Sequence, residues 1–449
     1  MGRRRQYMRN SKRRLFADLE LLENNNFIDL CRKSSKMHFT RKRKMPLKNL
    51  LLSIPFRKGK TLYFELKYFK EIFSMSNTIS KAGYLKQRQK LNPIAFLELL
   101  RFHSRNFYKD KTSMKTWNKY IVLAVDGSSC NVPLTETNVS MYGNTSKKGG
   151  KERPQIGISC LYDVVNRMII DMKTNMCKFD ERQEALYHVD RASEVIGKLP
   201  RIYVFDRGYP SGPFLIDMME RQELFIIRLP STVFKKEQKS METDDEWIDI
   251  VFDKTRINAQ MNMGKQGNAE KLEKAGSINL RFVKIKLTTE SDEYLITNLP
   301  TKDINTEQIS QLYKMRWEIE SAFDDMKNKL ELENFTGSTP IIMEQDIYAT
   351  GYLYNIMNDI IQDAEKERND TDDKYMYKMQ INRNIAIGIV KGDVIHLLLE
   401  KNAAKREEIM ENIIKEINKN ILPVRTGRKY CRTKGQLASK YSNVRKRSY

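Results

Sequence analysis

The stretch Tyr120-Ile121-Val122-Leu123-Ala124-Val125-Asp126-Gly127 decides the fold class. A short continuous apolar run closed by a carboxylate and a glycine reads as a strand buried on both faces. A second such run, Arg201-Ile202-Tyr203-Val204-Phe205, closes on Asp206-Arg207-Gly208-Tyr209. Between them, residues 156–165 and 167–174 read as two more strands that turn at Asn166. Residues 181–199 have a helical pattern ended by Pro200, 211–220 read as helix, and 224–229 as strand. Three strands, a helix, a strand, a helix and a strand predict an α/β core.

Working outward, residues 231–279 interrupt this core with a polar stretch, acidic at 242–246 and carrying Gly264, Gly267 and Gly276. Within it Ile248, Ile250 and Phe252 alternate with Trp247, Asp249 and Asp253. Further on, Val283, Ile285 and Leu287 alternate with Lys284 and Lys286, and 293–299 can return as a hairpin partner. Residues 231–300 are therefore expected to be a mostly β insertion. Asn305, with Gln308 three residues on, caps a helix that continues to about residue 332. Helices are also expected at 347–366, 385–400 and 405–421. Upstream, residues 1–60 predict a basic arm with short helices, and 62–73 a helix. Ser76-Asn77-Thr78 is placed to cap a helix to about 91, Asn92-Pro93 breaks it, and 94–107 forms another. These last helices carry Lys81, Lys86, Arg88 and Lys90, and fit a helix-turn-helix-like DNA reader or a plain helical bundle equally well. No internal repeat is visible. The expected division is 1–115 (basic helical DNA-binding region), 116–230 (first part of the core), 231–300 (insertion), 301–375 (second part) and 376–449 (helical, with a basic tail).

Composition narrows the partners. The chain has 449 residues, 80 Lys and Arg against 57 Asp and Glu, and a formal charge of +23. Its hydrophobic content of 40% is enough for a real core and excludes wholesale disorder. No apolar run approaches the roughly 18 residues of a membrane span, and no apolar segment follows the basic start as a secretory signal requires. Cys31, Cys130, Cys160, Cys177 and Cys431 show no paired spacing and read as reduced thiols of a cytoplasmic protein. The four histidines make a His-rich metal site a poor expectation. Residues 1–60 hold 18 Lys and Arg with 4 acids, among them Arg3, Arg4, Arg5, Arg13, Arg14 and the run from Arg41 to Lys44. Residues 423–449 hold 9 Lys and Arg with no acid, so the body between the two ends is neutral on balance. Basic ends interleaved with Tyr7, Phe16, Phe39, Phe56, Tyr430 and Tyr441 suit a nucleic acid, because each cation that meets a phosphate releases a counterion. Solvated tails, or an anionic membrane, are the competing readings.

Asp126 and Asp206 each end an apolar strand, and ligand sites of α/β sheets lie at the carboxyl ends of strands. Two such carboxylates on neighbouring strands repel unless a cation sits between them, although a single strand-end Asp is also an ordinary turn former. The helix beginning near residue 306 supplies more. At about 100° per residue, Leu312, Met315, Ile319, Ala322, Phe323, Met326 and Leu330 form its core face. Lys314, Glu318, Ser321, Asp324, Asp325, Asn328 and Lys329 form its water face, with Trp317 shading toward it. Tyr313, Arg316, Glu320 and Lys327 line a narrow stripe beside the core. An ordinary i,i+4 pair between Arg316 and Glu320 is the plain alternative.

The spacing Tyr313-x2-Arg316-x3-Glu320-x6-Lys327, set in Leu312-Tyr313-Lys314-Met315-Arg316-Trp317-Glu318-Ile319-Glu320, resembles the Y-R-E-K signature of the insertion-sequence-four family of bacterial DDE transposases. Asp126-Gly127-Ser128 and Asp206-Arg207-Gly208-Tyr209 resemble that family's two aspartate motifs. Gln87-Arg88-Gln89-Lys90-Leu91-Asn92-Pro93 and Pro423-Val424-Arg425-Thr426-Gly427-Arg428 also look like stretches of it. The resemblance implies an RNase H-like (retroviral-integrase-type) catalytic core, interrupted by a β insertion and flanked by helical regions. It implies that Asp126, Asp206 and Glu320 are the catalytic residues and hold two Mg²⁺ ions, with Mn²⁺ able to take their place. Asp126 is then the bridging ligand. The implied activity is cut-and-paste transposition: cleavage at terminal inverted repeats, a hairpin intermediate and strand transfer. Implied partners are double-stranded DNA, as transposon ends and target, and a second copy of the chain in a synaptic complex. The setting implied is the bacterial cytoplasm and nucleoid.

Tyr313, Arg316 and Lys327 become candidate grips on phosphates and a displaced base, joined by Trp317, Arg207 and Tyr209. Trp247 is a candidate stacking platform for a flipped base, against a packing role on its strand. The loop Lys147-Lys148-Gly149-Gly150-Lys151 lines a DNA channel or is simply solvated. Two rival functions stay open: a catalytically inactive DNA-binding relative, and a nuclease of the same fold that cuts without joining.

Overall fold

A computed structural model describes residues 9–41, 43–145, 153–286, 292–369 and 376–424. The basic segments at Arg3–Arg5, Lys147–Lys151 and 425–449 lie outside the described residues, as does Cys431. The chain folds into two compact units.

One unit comprises Met114–Asn131 and Tyr142–Phe323. Its frame is a sheet of β1 (Ile121–Asn131), β2 (Asn144–Thr145), β3 (Arg153–Asp163), β4 (Met168–Asn175), β5 (Arg201–Phe205), β6 (Leu224–Leu229), β7 (Asp245–Val251), β8 (Ser277–Lys286) and β9 (Asp292–Thr297). The order is β2-β3-β1-β5-β6-β9-β8-β7, with β4 also paired to β3. The apolar runs occupy the centre: β5 and β6 lie parallel to β1, and β3 runs antiparallel to it. Residues 121–125 and 202–205 are buried, as strands covered on both faces must be. The helix Glu181–Ile196 packs on β1, β3 and β4.

β1 does not stop at Asp126. It continues to Asn131, because β3 pairs with it over that whole length, from Leu123 opposite Asp163 to Asn131 opposite Gln155. Asp126 therefore sits within a strand and not at its tip. Gly157 of β3 marks a close approach. A Cβ there would stand 2.5 Å from the Met176 carbonyl oxygen and 2.7 Å from the Phe179 ring. Gly157→Ala is expected to cost about 1–3 kcal/mol through overpacking, read as a lower denaturant midpoint at unchanged slope.

Residues 231–300 are less purely β than their alternation suggests. β7, β8 and β9 extend the central sheet antiparallel from β6, but the same stretch holds the helices Lys235–Ser240, Lys254–Asn262 and Gln266–Ala275. The last two are polar, with only Ala269 and Leu272 buried between them, so they carry little periodic signal. Arg281 on β8 is fully buried and bonds Asp245 and the carbonyls of Leu299 and Ile304. It ties two of these strands to the loop before the helix Thr306–Met315, which begins with the expected Asn305–Gln308 capping box.

That helix is not continuous to residue 332. It breaks at Arg316, resumes as Trp317–Asp324 and then winds into a π-turn at Asp325–Lys329. Positions beyond the π-turn leave the ideal wheel, since an i→i+5 turn shifts every later side chain. Asp325, expected in water, is buried and pairs with Lys329 and Arg383.

The other unit comprises Met1–Ser113, Val132–Met141 and Asp324–Tyr449. It is helical, built on Pro340–Asn369 with Asn10–Leu21 and Ile94–Lys109 against it. Arg88, a candidate DNA reader in the sequence, is fully buried. It donates to Gln345, to the Ile342 carbonyl and to Asp346 at 2.9 Å, so its role is internal. Its helix, Lys81–Arg88, is capped by Ser80 and not by residues 76–78. Cys31, Cys130, Cys160 and Cys177 are in no disulfide. Among the described residues no helix is long and apolar enough to cross a membrane.

Candidate active site

The site is built by strand register. Ala124 of β1 is paired with Val204 of β5 in parallel alignment. Two residues beyond that pair, on the same face, come Asp126 and Asp206. Neighbouring strands lie about 4.8 Å apart, so the two aspartates leave the sheet side by side. Each turns its Oδ1 to a backbone amide just downstream: Gly127 N at 2.8 Å from Asp126, and Gly208 N at 2.6 Å from Asp206.

Glu320 comes from the helix after the break. Arg316 links it to the sheet: its Nη2 donates to Glu320 Oε1 at 2.8 Å, and its Nη1 lies 3.8 Å from Asp126 Oδ2. The guanidinium is 5% exposed, lies 5.0 Å from the centre of the Trp317 ring, and leaves its Nε without a hydrogen-bond partner. The i,i+4 pair is real, but it is half of a bridge between two carboxylates.

A further acid, Glu181, stands here too. It opens the helix Glu181–Ile196 behind the cap of Asp180. Its Oε1 comes within 3.2 Å of where a Cβ on Gly127 would be, and its Oε2 within 3.8 Å of the same point on Gly208. The sequence reading missed it because the first turn of a helix is where an acid is commonplace.

Burial pushes the Asp126 carboxyl up to about 7. The Gly127 amide and Arg316 oppose the rise, while Asp206 and Glu181 add to it. Glu181 is also raised, by burial and then by Asp206, with Arg182 opposing. A crowded set of carboxylates with one guanidinium among them favours another cation. The donors are all oxygen, which suits a hard divalent ion. Among the described residues, no three acidic, imidazole or thiol groups stand close enough to form a ready ligand set as the side chains lie. The cation between Asp126 and Glu320 in this structure is Arg316.

The remaining candidates divide. Arg207 is exposed in the turn beyond Asp206. Trp317 is 43% exposed beside Arg316. Tyr313 is buried, with the Arg316 guanidinium 6.0 Å from its ring centre. Tyr209 is 1% exposed and packs against Phe205 and Phe214, so its ring is a core element and not a DNA grip. Trp247 lies on the edge strand β7, four strands across the sheet from β5, or about 19 Å. It is half-exposed and donates to Thr301 Oγ1 at 3.3 Å. Lys327 belongs to the helical unit, where it lines a 570 Å³ cavity with Arg57, Lys60 and Phe69.

Comparison with known proteins adds the family. The Transposase DDE domain model matches residues 117–356, more than half of the chain. The putative transposase InsL for insertion sequence element IS186A of Escherichia coli (strain K12) is 29% identical over 113 residues, covering 25% of this chain and 26% of that protein. The transposase for insertion sequence element IS421 of Escherichia coli matches with the same figures. The chain thus matches about a quarter of the length of these curated relatives. A cryo-EM structure of a piggyBac transposase synaptic complex with hairpin DNA aligns with a TM-score of 0.44 and 10% identity, over 89% of this chain and 85% of that one. The family match takes in Asp126, Asp206, Arg316 and Glu320 together, and the chain belongs to the Transposase DDE domain family.

Proposed function

We propose that this protein is a DNA transposase of the insertion-sequence-four type, which cuts an element from double-stranded DNA and joins it to a target. The carrying observation is the register of β1 and β5, which sets Asp126 beside Asp206 while Arg316 ties Glu320 to the same place. The RNase H-like reading of the core is supported by the strand order β4-β3-β1-β5-β6, three antiparallel strands followed by two parallel to the first.

Asp126, Asp206 and Glu320 are the residues to hold divalent metal, Mg²⁺ or Mn²⁺. Such ions activate the attacking oxygen and stabilise the leaving one in an in-line displacement. The carboxylates supply negative charge and fix its place. In the first reaction water adds to phosphorus at the element end and gives up a proton to solvent, the P–O3′ bond breaks, and the departing 3′-oxygen takes up a proton from solvent to leave as the 3′-OH. In the second, the freed 3′-OH loses its proton to solvent as its oxygen attacks another phosphodiester, and the displaced 3′-oxygen takes up a proton in turn. Attack on the opposite strand gives the hairpin, and attack on target gives joining. Arg316, with its spare Nε and its rings, is placed to take a phosphate once DNA enters, and Arg207 and Trp317 offer exposed contacts beside it. A second copy of the chain pairs the two ends.

The test is strand cleavage of a duplex carrying the element's terminal repeat by the full chain. Cleavage is expected with Mg²⁺ or Mn²⁺, to vanish with EDTA and to return on adding back the metal. Persistent cleavage in EDTA refutes the metal assignment. Cutting without integration of a pre-cut end into plasmid selects the nuclease reading, and metal-independent binding without cleavage selects the inactive relative.

A further inference from the structure

We propose that Glu181 is a fourth carboxylate of the Asp126–Asp206–Glu320 site and faces the same divalent cation; this rests on the metal-dependent reading above. The placement is built and not incidental. Glu181 is itself exposed, but it heads the helix face that carries the buried Ala185, His188 and Ala192 at three- and four-residue spacing. Among the described residues no side chain donates to Glu181. What it faces are the turns after the two aspartates, beside Gly127 and Gly208. Asp206 Oδ1 reaches the same space, 3.0 Å from where a Cβ on Gly208 would be.

Two devices hold it there. His188, two helical turns on, is fully buried, with Nδ1 2.9 Å from Asp171 Oδ2 and Nε2 3.0 Å from Ser159 Oγ. This Ser-His-Asp line is sealed from solvent, so it serves to lock the helix rotationally onto β3 and β4. Arg182 donates from Nε to the Tyr209 carbonyl at 3.0 Å and from Nη2 to the Gly208 carbonyl at 2.8 Å. It straps the Asp206 turn to the start of the same helix. Both are positioning residues: they set the distance between Glu181 and the aspartates. Arg316 reaches the same cluster: it is 5% exposed, its Nη2 donates to Glu320 and its Nη1 lies 3.8 Å from Asp126 Oδ2, while its buried Nε has no hydrogen-bond partner. A guanidinium ready for a phosphate oxygen and carboxylates ready for a cation are the two halves of a metal–phosphate site.

The experiment titrates the full chain with Mn²⁺, reading free ion by electron paramagnetic resonance and heat by calorimetry. Glu181→Gln keeps the shape and removes the charge. It is expected to weaken Mn²⁺ binding at least tenfold. Asp217→Asn, at a carboxylate bound to Lys271 and Arg221 on the next helix, serves as the control and leaves it unchanged. Without metal, Glu181→Gln is expected to melt no lower than the parent, because it removes a like charge, and to lose most of the Mn²⁺-induced rise in Tm. A lower metal-free Tm with unchanged Mn²⁺ affinity makes Glu181 only a helix-terminal acid and overturns the proposal. If Asp126→Asn and Asp206→Asn weaken Mn²⁺ binding and Glu181→Gln does not, the Glu181 assignment alone falls. If none of the three changes it, the whole carboxylate site falls.

Discussion

Asp126→Asn, and separately Glu320→Gln, are expected to lower metal-dependent strand cleavage by on the order of 10³-fold, about 4 kcal/mol of transition-state stabilisation. Each substitution keeps size and hydrogen-bonding shape and removes one negative oxygen pair from the cation site. The two differ in their effect on stability, and that difference separates a site residue from a structural one. Asp126 is mostly buried and its carboxyl is pushed up to about 7. A carboxyl raised above its unfolded value of about 3.9 makes the metal-free protein lose stability as pH rises from about 4 to 7, because the folded state must then surrender a proton it retains better than the unfolded chain. Asn has no proton to lose. Asp126→Asn is therefore expected to be more stable than the parent at pH 8 in EDTA, by on the order of a few kcal/mol, and to show a flatter pH profile. Glu320 is exposed and tied to Arg316, so its Gln variant should fold with near-parental stability. Denaturant melts at pH 5 and pH 8, run beside the cleavage assay, check both. Full cleavage by either variant removes it from the site, and a destabilised Asp126→Asn at pH 8 contradicts the burial argument.

The second large effect concerns the helical unit. Arg14→Ala is expected to cost about 3–5 kcal/mol of stability. The Arg14 side chain is 2% exposed; its Nε donates to Asp359 Oδ2 at 2.7 Å and its Nη1 to Asp110 Oδ2 at 3.0 Å. The guanidinium also lies 5.2 Å from the Phe107 ring centre. Asp359 is 1% exposed and sits near Asp363, so removing the arginine leaves it buried with only His103 opposite among the described residues. Replacing both members of the pair by leucine should cost clearly less than Arg14→Ala alone, because no charge is then left buried and unpaired. Equal costs for the single and double variants would mean the loss is packing and not charge.

His103 adds a pH signature to the same network. Burial works against its charged form, but Asp18, 2.6 Å from Nδ1, and Asp359 override it and carry the imidazole up to about 9. A histidine raised above its unfolded value stabilises fully below about pH 6.5, and this contribution is lost as pH rises toward 9. The helical unit should therefore weaken over that window, and His103→Gln should remove the dependence.

Much of the core of the sheet unit was readable from local chemistry. The runs 121–125 and 201–205 are apolar enough to be central strands in any compact fold, and Asn305 with Gln308 is a cap wherever it occurs. The Tyr313, Arg316, Glu320 and Lys327 spacing runs across the helix Thr306–Met315, the break at Arg316, the helix Trp317–Asp324 and the π-turn after it. Past residue 324 the wheel still places Met326 and Leu330 in the core, but it misses Asp325, which is buried at the start of a π-turn that no periodicity encodes. Helices 254–262 and 266–275 escaped notice because so little of either is buried.

The amino-acid order alone marked which apolar runs must be buried and which residues are candidates for chemistry, since hydrophobic runs and carboxylates act within a few residues of themselves. Only the tertiary structure decided which acids meet. Placing Asp126 beside Asp206 needs the alignment of Ala124 with Val204, eighty residues apart, and bringing in Glu181 needs a helix rotation set by His188. It also turned Arg88 and Tyr209 from candidate DNA contacts into core residues. A cation or a ring looks the same in a sequence whether a phosphate or a buried partner awaits it, and burial belongs to the whole fold.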